Sequence, residues 1–545
     1  MLKGMPNPLA LLRNTLNDRF TPPVHKIRDM AERKGLVVHY KGEAAAPSER
    51  PSRSTSSPAN VRSSDYLLVA PGGGAERVLE RFSSVLKELK IPFFVGGASN
   101  EYSVCINVLA TDMAFVVGAL DHWFQADNDI KVGLPDGSVM TPEGFRKQIR
   151  TANCRSFSLL CSEKLTAAKP TRFVACSEIQ VNAWVEVEHY GAAPIFESSL
   201  TTPYVRRLKG DTVNKLQSGA LVFDDLSKDV QAYPKFPVDV VYTWVNDQDD
   251  EWLELKDKYK GIPTGSGRAH HDERFKNRDE LKFSLRSIDM FAPFVRNVYI
   301  VTNGQVPAWL NQENERVKVV THEQIYRNRE HLPTFNSSSI ETQLHHVPGL
   351  SEHFLYFNDD FFLGSLCEAN DFFLPNGVIK CFPTEQRVFE HDIDDESEEY
   401  IIADANAIRL MKKRNGSYTR DIMMHVPYPS SKTLLQNMED EFQAEFDACA
   451  SSRFRSKQDL RPIAFMQYHT GLHDKLVQLS KISHRYLALW KPTIDKQFEG
   501  VSKTRKYKTF CINDVGVQPE KSAYTDKLVH DFLNDYFPFK SSFEI

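Results

Sequence analysis

The chain has 545 residues, 41% hydrophobic and 26% charged, with 67 Lys and Arg against 72 Asp and Glu for a formal net charge of −5. That is an ordinary globular composition. It gives no reason to expect a nucleic-acid or polyanion partner, and at ~100–200 residues per domain it suggests two to four domains. Eight cysteines (105, 154, 161, 176, 367, 381, 449 and 511) are scattered without a C-x-x-C pair or a zinc spacing, which points to buried thiols in a reducing compartment rather than a disulfide framework.

In chain order, MLKGMPNPLALLRNTLNDRF opens with an apolar patch confined to residues 9–12, too short for the core of a signal peptide. No run of ~18 apolar residues occurs, so no transmembrane helix is predicted and a cytoplasmic protein is expected. Residues 1–41 read as a basic helical segment, and 42–64, rich in Ser, Pro and Arg, as a flexible linker. Residues 65–235 read as an accessory α/β or α+β domain. Its elements are YLLVA (66–70), a helix over 76–90, FFVGG (93–97), YSVCINVLA (102–110) and the long RFVACSEIQVNAWVEVEHY (172–190). Nothing in it carries a chemical signature.

From 236 the pattern changes. VDVVYTWV (238–245) opens onto the polar NDQDDEW. A helix follows near Asn277, with Asn277 and Glu280 at capping-box spacing and Leu281, Leu285 and Ile288 marking a core face. VRNVYIVTNG (295–304), VKVVT (317–321) and 354–363 are further apolar strands. Their near-continuous apolarity predicts an α/β fold with a mostly parallel sheet, in which ligands bind beyond the carboxyl ends of the strands. After 380 the pattern is more helical, with candidates at 404–413, 430–447 and 461–480. The acidic HDIDDESEEY (391–400) reads as a solvated surface loop.

The strand FLYFNDDFFLG (354–364) holds a contradiction, because Asp359 and Asp360 interrupt an apolar run. Buried unpaired charge costs several kcal/mol at least, so such groups are paired, protonated or holding a metal. Mg²⁺ or Mn²⁺, with oxygen ligands completed by substrate phosphates, would resolve it. In HLPTFNSSSIETQLHHVPGL (331–350), Glu341 and His345 are four apart and fit one helix face, where a carboxylate can orient an imidazole. Arg278, Lys282 and Arg286 form a basic stripe on the preceding helix. His425, the pair Arg453 and Arg455, and the Asn513-Asp514 pair are further candidates, each weak alone.

Together these residues gain meaning. DVVYTWVN (239–246), RDELKFSLRSI through FVRNVYIVTNGQVPAWL (278–310), LPTFNSSSIET through FLYFNDDFF (332–362), and FRSKQD with CINDVG resemble the conserved blocks of the Stealth family. That family includes bacterial capsule phosphotransferases and the α/β subunit of lysosomal-enzyme N-acetylglucosamine-1-phosphotransferase. The resemblance covers residues 236–545, and in length and ending is nearest to capsule polymerases of the meningococcal serogroup A kind. It implies a nucleotide-sugar-binding core similar to the GT-A fold, with a helical C-terminal part. It also implies transfer of a hexosamine-1-phosphate from a UDP-N-acetylhexosamine to a hydroxyl of a growing capsular or exopolysaccharide chain, with release of UMP.

On that resemblance Asp239 contacts donor or metal, Glu341 and Asp360 occupy essential positions, and His425 and Arg455 carry base and phosphate-binding roles. Arg278, Lys282, Asn303, Asn246 and Asn406 are expected at the donor, and Asp360 with Asp514 at Mg²⁺ or Mn²⁺. His425 is the better base because an imidazole titrates near the operating pH, with Glu341 its rival. Asp360 and Asn406 are only 46 positions apart. That leaves no room for the recognition modules of the eukaryotic relatives, and so a glycan acceptor is expected. The alternatives are a metal-dependent glycosyltransferase releasing UDP, or a non-catalytic sugar-binding protein. A peripheral place on the inner membrane or in a capsule-assembly complex is a further expectation.

Overall fold

The computed structural model describes residues 66–70, 74–124, 130–148, 154–162, 173–190, 193–260, 277–388, 393, 397–514 and 522–545. The N-terminal helical segment, the Ser/Pro-rich linker and most of the acidic loop 391–400 lie outside the described residues. Residues 59–545 belong to one compact unit. All eight cysteines are free, and all but Cys154 are buried. No described helix is long and apolar enough to cross a membrane.

The accessory region is built on a nine-stranded mixed sheet whose spine is the long strand Phe173–Tyr190. That strand pairs in parallel with Tyr66–Leu68 and Val104–Leu109, and antiparallel with Ser156–Ser162 and Ala193–Ser198. Its period-two pattern separates two faces. Val181 and Ala183 join the core under helices Gly74–Glu88 and Met113–Phe124, while Trp184 packs with Phe94 and Phe223 on the other side.

The second sheet has five strands in the order Val317–Thr321, Val295–Thr302, Val238–Thr243, His353–Phe357, Tyr428–Ser431. The first four run parallel and the last is antiparallel. Successive residues of the inner strands are buried on both faces, which is why VVYT, VYIV and FLYF read as continuous apolar runs. The helix Glu280–Phe291 buries Leu281, Leu285 and Ile288 as its periodicity requires. Its start differs from expectation. Asp279, in the left-handed region at φ 64°, is the N-cap without a side-chain bond, and the Asn277 side chain instead accepts from Asp279 N at 3.0 Å. Glu280 accepts from the backbone of Arg278, so the anticipated capping box does not form.

The apolar run 354–363 is not one strand. His353–Phe357 belongs to the five-stranded sheet, whereas Phe361–Leu363 joins Thr509–Asn513 and His484–Ala488 in a separate three-stranded sheet. Residues 358–360 are the crossing between them, at the carboxyl edge of the parallel strands, where α/β sheets bind ligands. The C-terminal half supplies helices Glu399–Asn415, Lys432–Glu441 and Gln443–Ala450, and a π turn Pro462–Met466 that runs into Gln467–His473.

Candidate active site

Antiparallel pairing of Phe361 with Cys511, and the bond from Ile512 N to the Asp360 carbonyl at 3.1 Å, lay the Thr509–Asn513 strand against the acid loop. Asp514 follows directly. Asp359 and Asp360 are both raised to about 7, chiefly by burial and then by neighbouring acids: Asp360 and Asp514 act on Asp359, Asp514 and Glu280 on Asp360. Cys511 Sγ donates to Asp360 Oδ2 at 3.2 Å, opposing that rise, while Asp360 Oδ1 is buried without a partner among the described residues. Glu280 is also raised to about 7, by burial and by Asp359.

Arg278 stitches this acidic group together, donating to Asp514 at 2.9 Å and Asp526 at 2.6 Å, with Glu280 at 3.5 Å. Crowded oxygen donors of like charge, one with an orphaned lone pair, fit a hard divalent cation. The group does not close into a three-donor cage among the described residues, so it can offer one or two carboxylates and leave the remaining positions to phosphate oxygens.

Facing it is a second set. Arg455 donates to Ser338 Oγ at 2.6 Å and to Ser337 Oγ, the first hydroxyls of helix Ser337–Glu341, whose N-cap is Asn336. Glu341, at the end of that helix, is buried and accepts from Ile463 N at 3.4 Å. Burial raises its carboxyl, and the charges of Arg461 and Arg455 oppose the rise. Arg461 donates from Nη1 alone to both carboxylate oxygens of the buried Asp404, at 3.2 and 3.0 Å. Asp404 is raised to about 6 by burial, again opposed by Arg461.

Tyr428 joins the two sets. Burial pushes its phenol up, Arg461 opposes this, and Glu341, Cys511 and Asp360 add to it. His425 sits at the same seam, partly exposed, its ring edge-on to Phe361 at 6.3 Å and Tyr486 at 5.4 Å. Burial and then Arg461 lower it to about 4. Its ring nitrogens have no protein partner among the described residues. The imidazole is therefore neutral at pH 7 and free to accept a proton.

The structure thus brings Glu341, Asp360, His425, Arg455, Arg278 and Asp514 to one region. It does not bring Asp239 there. Asp239 is fully buried at the amino end of its strand, away from the acid loop, accepting from Arg296 at 2.9 and 2.6 Å, Asn297 N at 3.1 Å and Ser351 N at 2.7 Å. Its lone pairs are taken, and it locks three strands together. Arg278 is likewise committed to carboxylates rather than free for a diphosphate. Asn303 is exposed in the turn after its strand, and Lys282 is partly exposed on its helix. Asn246 is held through its backbone by the Gln305 side chain, at 2.8 and 3.1 Å.

Asn406 donates to the carbonyls of Lys457 and Asp459 at 2.9 and 3.0 Å, pinning the loop that carries Arg455 and Arg461. The expected Glu341–His345 pair does not form, because the helix ends at Glu341 and His345 Nε2 meets Glu439 at 2.8 Å instead. Arg461, Asp404 and Tyr428 were missed. Asp404 could have been found as Asp359 was, as a lone carboxylate in the apolar run IIADANAI.

Models of four Stealth protein conserved regions match the chain: region 1 over 236–263, region 2 over 274–381, region 3 over 424–470 and region 4 over 499–545. An exopolysaccharide phosphotransferase of Streptomyces coelicolor is 38% identical over 310 residues, 57% of either chain. A capsular polysaccharide phosphotransferase of Haemophilus influenzae is 33% identical over 312 residues, 55% of this chain and 84% of that one. Another, from Neisseria meningitidis serogroup A, is 34% identical over 317 residues, 57% of each. The match spans about half the length of the first Streptomyces relatives, 57% and 52%. Among solved structures, mouse xyloside xylosyltransferase 1 aligns with 50% of this chain and 97% of its own at 13% identity and a TM-score of 0.25. The galactosyltransferase LgtC aligns with 55% and 95% at 10% identity and 0.29. Scores that low carry no argument about this fold.

Proposed function

This chain belongs to the Stealth family, and we propose that it transfers hexosamine-1-phosphate from a UDP-N-acetylhexosamine to a hydroxyl of a growing capsular or exopolysaccharide chain. In this reaction the acceptor oxygen bonds to the β-phosphorus, the bond from that phosphorus to the bridging oxygen breaks, and UMP leaves. The sugar C1–O bond survives. The observation that carries the reading is a neutral His425, without a hydrogen-bond partner among the described residues, at the seam between a carboxylate group and an arginine pair.

His425 takes the proton of the acceptor hydroxyl. Its lowered pKa keeps the lone pair available at neutral pH, although it also makes the imidazole a weaker base. Arg455, anchored by two serine hydroxyls, turns its guanidinium toward the diphosphate. Arg461 is spent on Asp404 and contributes positive potential rather than a direct fork. Glu341 keeps the arginine pair and the start of the π turn in register. Asp360, with Asp359 or Asp514, would hold Mg²⁺ or Mn²⁺, and such a cation when bound neutralises charge on the diphosphate. Positioning and charge neutralisation dominate phosphoryl-group transfer, and these residues supply both. A cytoplasmic site of action with peripheral contact to the inner membrane accompanies this reading.

The test is incubation with a panel of UDP-hexosamine donors and an oligosaccharide primer, identifying the nucleotide released. UMP is expected. UDP as the sole product would replace this reaction with glycosyl transfer on the same residues.

A further inference from the structure

Among the described residues, one set of three potential metal ligands has its ligand atoms all within 4.8 Å of one another: His345, His346 and Glu439. It is distinct from the region described above, and the charges acting on it are its own members and Arg327. His345 and Glu439 are buried and His346 is partly exposed.

One atom of this group is over-subscribed. Glu439 Oε2 is approached by His345 Nε2 at 2.8 Å, His346 Nε2 at 3.0 Å, Arg327 at 3.3 Å and Gln436 Nε2 at 3.3 Å. A carboxylate oxygen has two lone pairs and cannot serve four donors well. His346 adds a second constraint. Its Nδ1 lies 3.1 Å from the Ile325 carbonyl oxygen, so Nδ1 must carry a proton. A neutral ring then turns the bare lone pair of Nε2 toward a carboxylate lone pair. That repulsion is removed by protonating the ring, or by setting a cation between the nitrogens and the oxygen.

Nδ1–H on a backbone carbonyl, with Nε2 turned the other way, is the orientation of a metal-bound histidine; His346 has it, whereas His345 Nδ1 is buried without a partner among the described residues. In a tetrahedral zinc site with bonds of ~2.0–2.1 Å, neighbouring ligand atoms stand about 3.3 Å apart. The two nitrogen–oxygen separations, 2.8 and 3.0 Å, are shorter by only a few tenths of an ångström, and the ligand nitrogens of the two imidazoles stand within 4.8 Å of each other, so small side-chain rotations can supply the change.

We propose that His345, His346 and Glu439 bind Zn²⁺, with water in the fourth position, stapling the turn Leu344–His346 to helix Lys432–Glu441. Two imidazoles and one carboxylate select zinc over magnesium, so this ion does not compete for the oxygen-only acid loop. Arg327, whose side chain is 54% exposed, is the electrostatic opponent and swings into solvent when the ion binds.

The experiment titrates the full chain with Co²⁺ after EDTA treatment and desalting, in excess Mg²⁺. Expected is one equivalent with the visible absorption of tetrahedral nitrogen–oxygen coordination, displaced by Zn²⁺. His346→Gln, at a partly exposed position, should keep its melting temperature yet weaken Co²⁺ by about a hundredfold or more, since even outer partners of a ligand matter 10–100-fold. Arg327→Gln should tighten binding. Zn²⁺ should raise the melting temperature of the wild type and not that of His346→Gln. Absence of the band in the wild type, or equal cobalt binding by wild type and His346→Gln, overturns the proposal, whatever nucleotide the enzyme releases.

Discussion

Three carboxyls, on Asp359, Asp360 and Glu280, are raised to about 7, and this has a measurable consequence without metal. Between the unfolded carboxyl range near 4 and the folded value near 7 the native chain binds more protons than the unfolded one, so these groups make stability fall as pH rises through that window. Metal-free wild type should therefore melt lower at pH 8 than at pH 5.5 by more than Asp360→Asn does, and Mg²⁺ should restore the wild type alone. Asp360→Asn should also lose most activity. Parallel melting curves for the two proteins at both pH values would remove the carboxyl group from this account. His425 behaves oppositely. Lowered to about 4, it stays unprotonated down to that region, so the acid limb of kcat should lie well below the ordinary histidine value. His425→Ala should bind donor nearly normally and lose ~10²–10⁴ in kcat. Retention of more than about a tenth, far short of the expected loss of a base, would move the role to Glu341.

At the scale of elements, the inner parallel strands were legible because strands buried on both faces need uninterrupted apolar residues, and VVYT, VYIV and FLYF supply them, while VKVVT at the sheet edge is broken by the exposed Lys318. The helix Glu280–Phe291 was legible on its buried face and misread at its start, where the left-handed Asp279 redirected both capping candidates. The run 354–363 was read as one strand because apolar content continues across a change of sheet, which periodicity cannot register. Short strands such as Asp421–Met423 and His484–Ala488 are set by distant pairing and leave little local pattern. In the site, single residues with unusual burial were legible, whereas the placement of Asp239 away from the acid loop was not, since a buried carboxylate in a strand looks the same from sequence whether it meets substrate or an arginine. Its structural role is testable. Asp239→Ala should destabilise the fold in urea by about 1–3 kcal/mol for each backbone N–H it strands, those of Asn297 and Ser351, since Arg296 is 44% exposed and can turn to water, while the folded fraction keeps near-normal kcat. A stable variant with collapsed kcat would restore Asp239 to the chemistry.

Over the whole molecule, the accessory sheet is not loosely appended. Ala70 N bonds to the Met290 carbonyl at 2.7 Å, Glu101 N to Glu368 at 2.9 Å, and Val69 and Cys176 join the core of the family region. Residues 1–64 carry no apolar periodicity beyond a short patch, so a chain beginning near Asp65 should fold and extend short soluble primers at near-full rate. If it folds but fails on such primers, the N-terminal segment belongs to the catalytic machinery.

The acid loop is also the only three residues, 358–360, between a strand of the five-stranded sheet and a strand of the three-stranded one. A hinge so short cannot let the two sheets tilt without turning the carboxylates it carries. Cation affinity and sheet angle are then thermodynamically coupled, and the coupling acts in both directions. An ion bound at the loop should stiffen the sheets against one another, as a pin stiffens a joint. Amide exchange along Thr509–Asn513 should slow on addition of Mg²⁺ far more than along Val317–Thr321 at the opposite edge. Equal slowing at both would mean that the hinge transmits nothing.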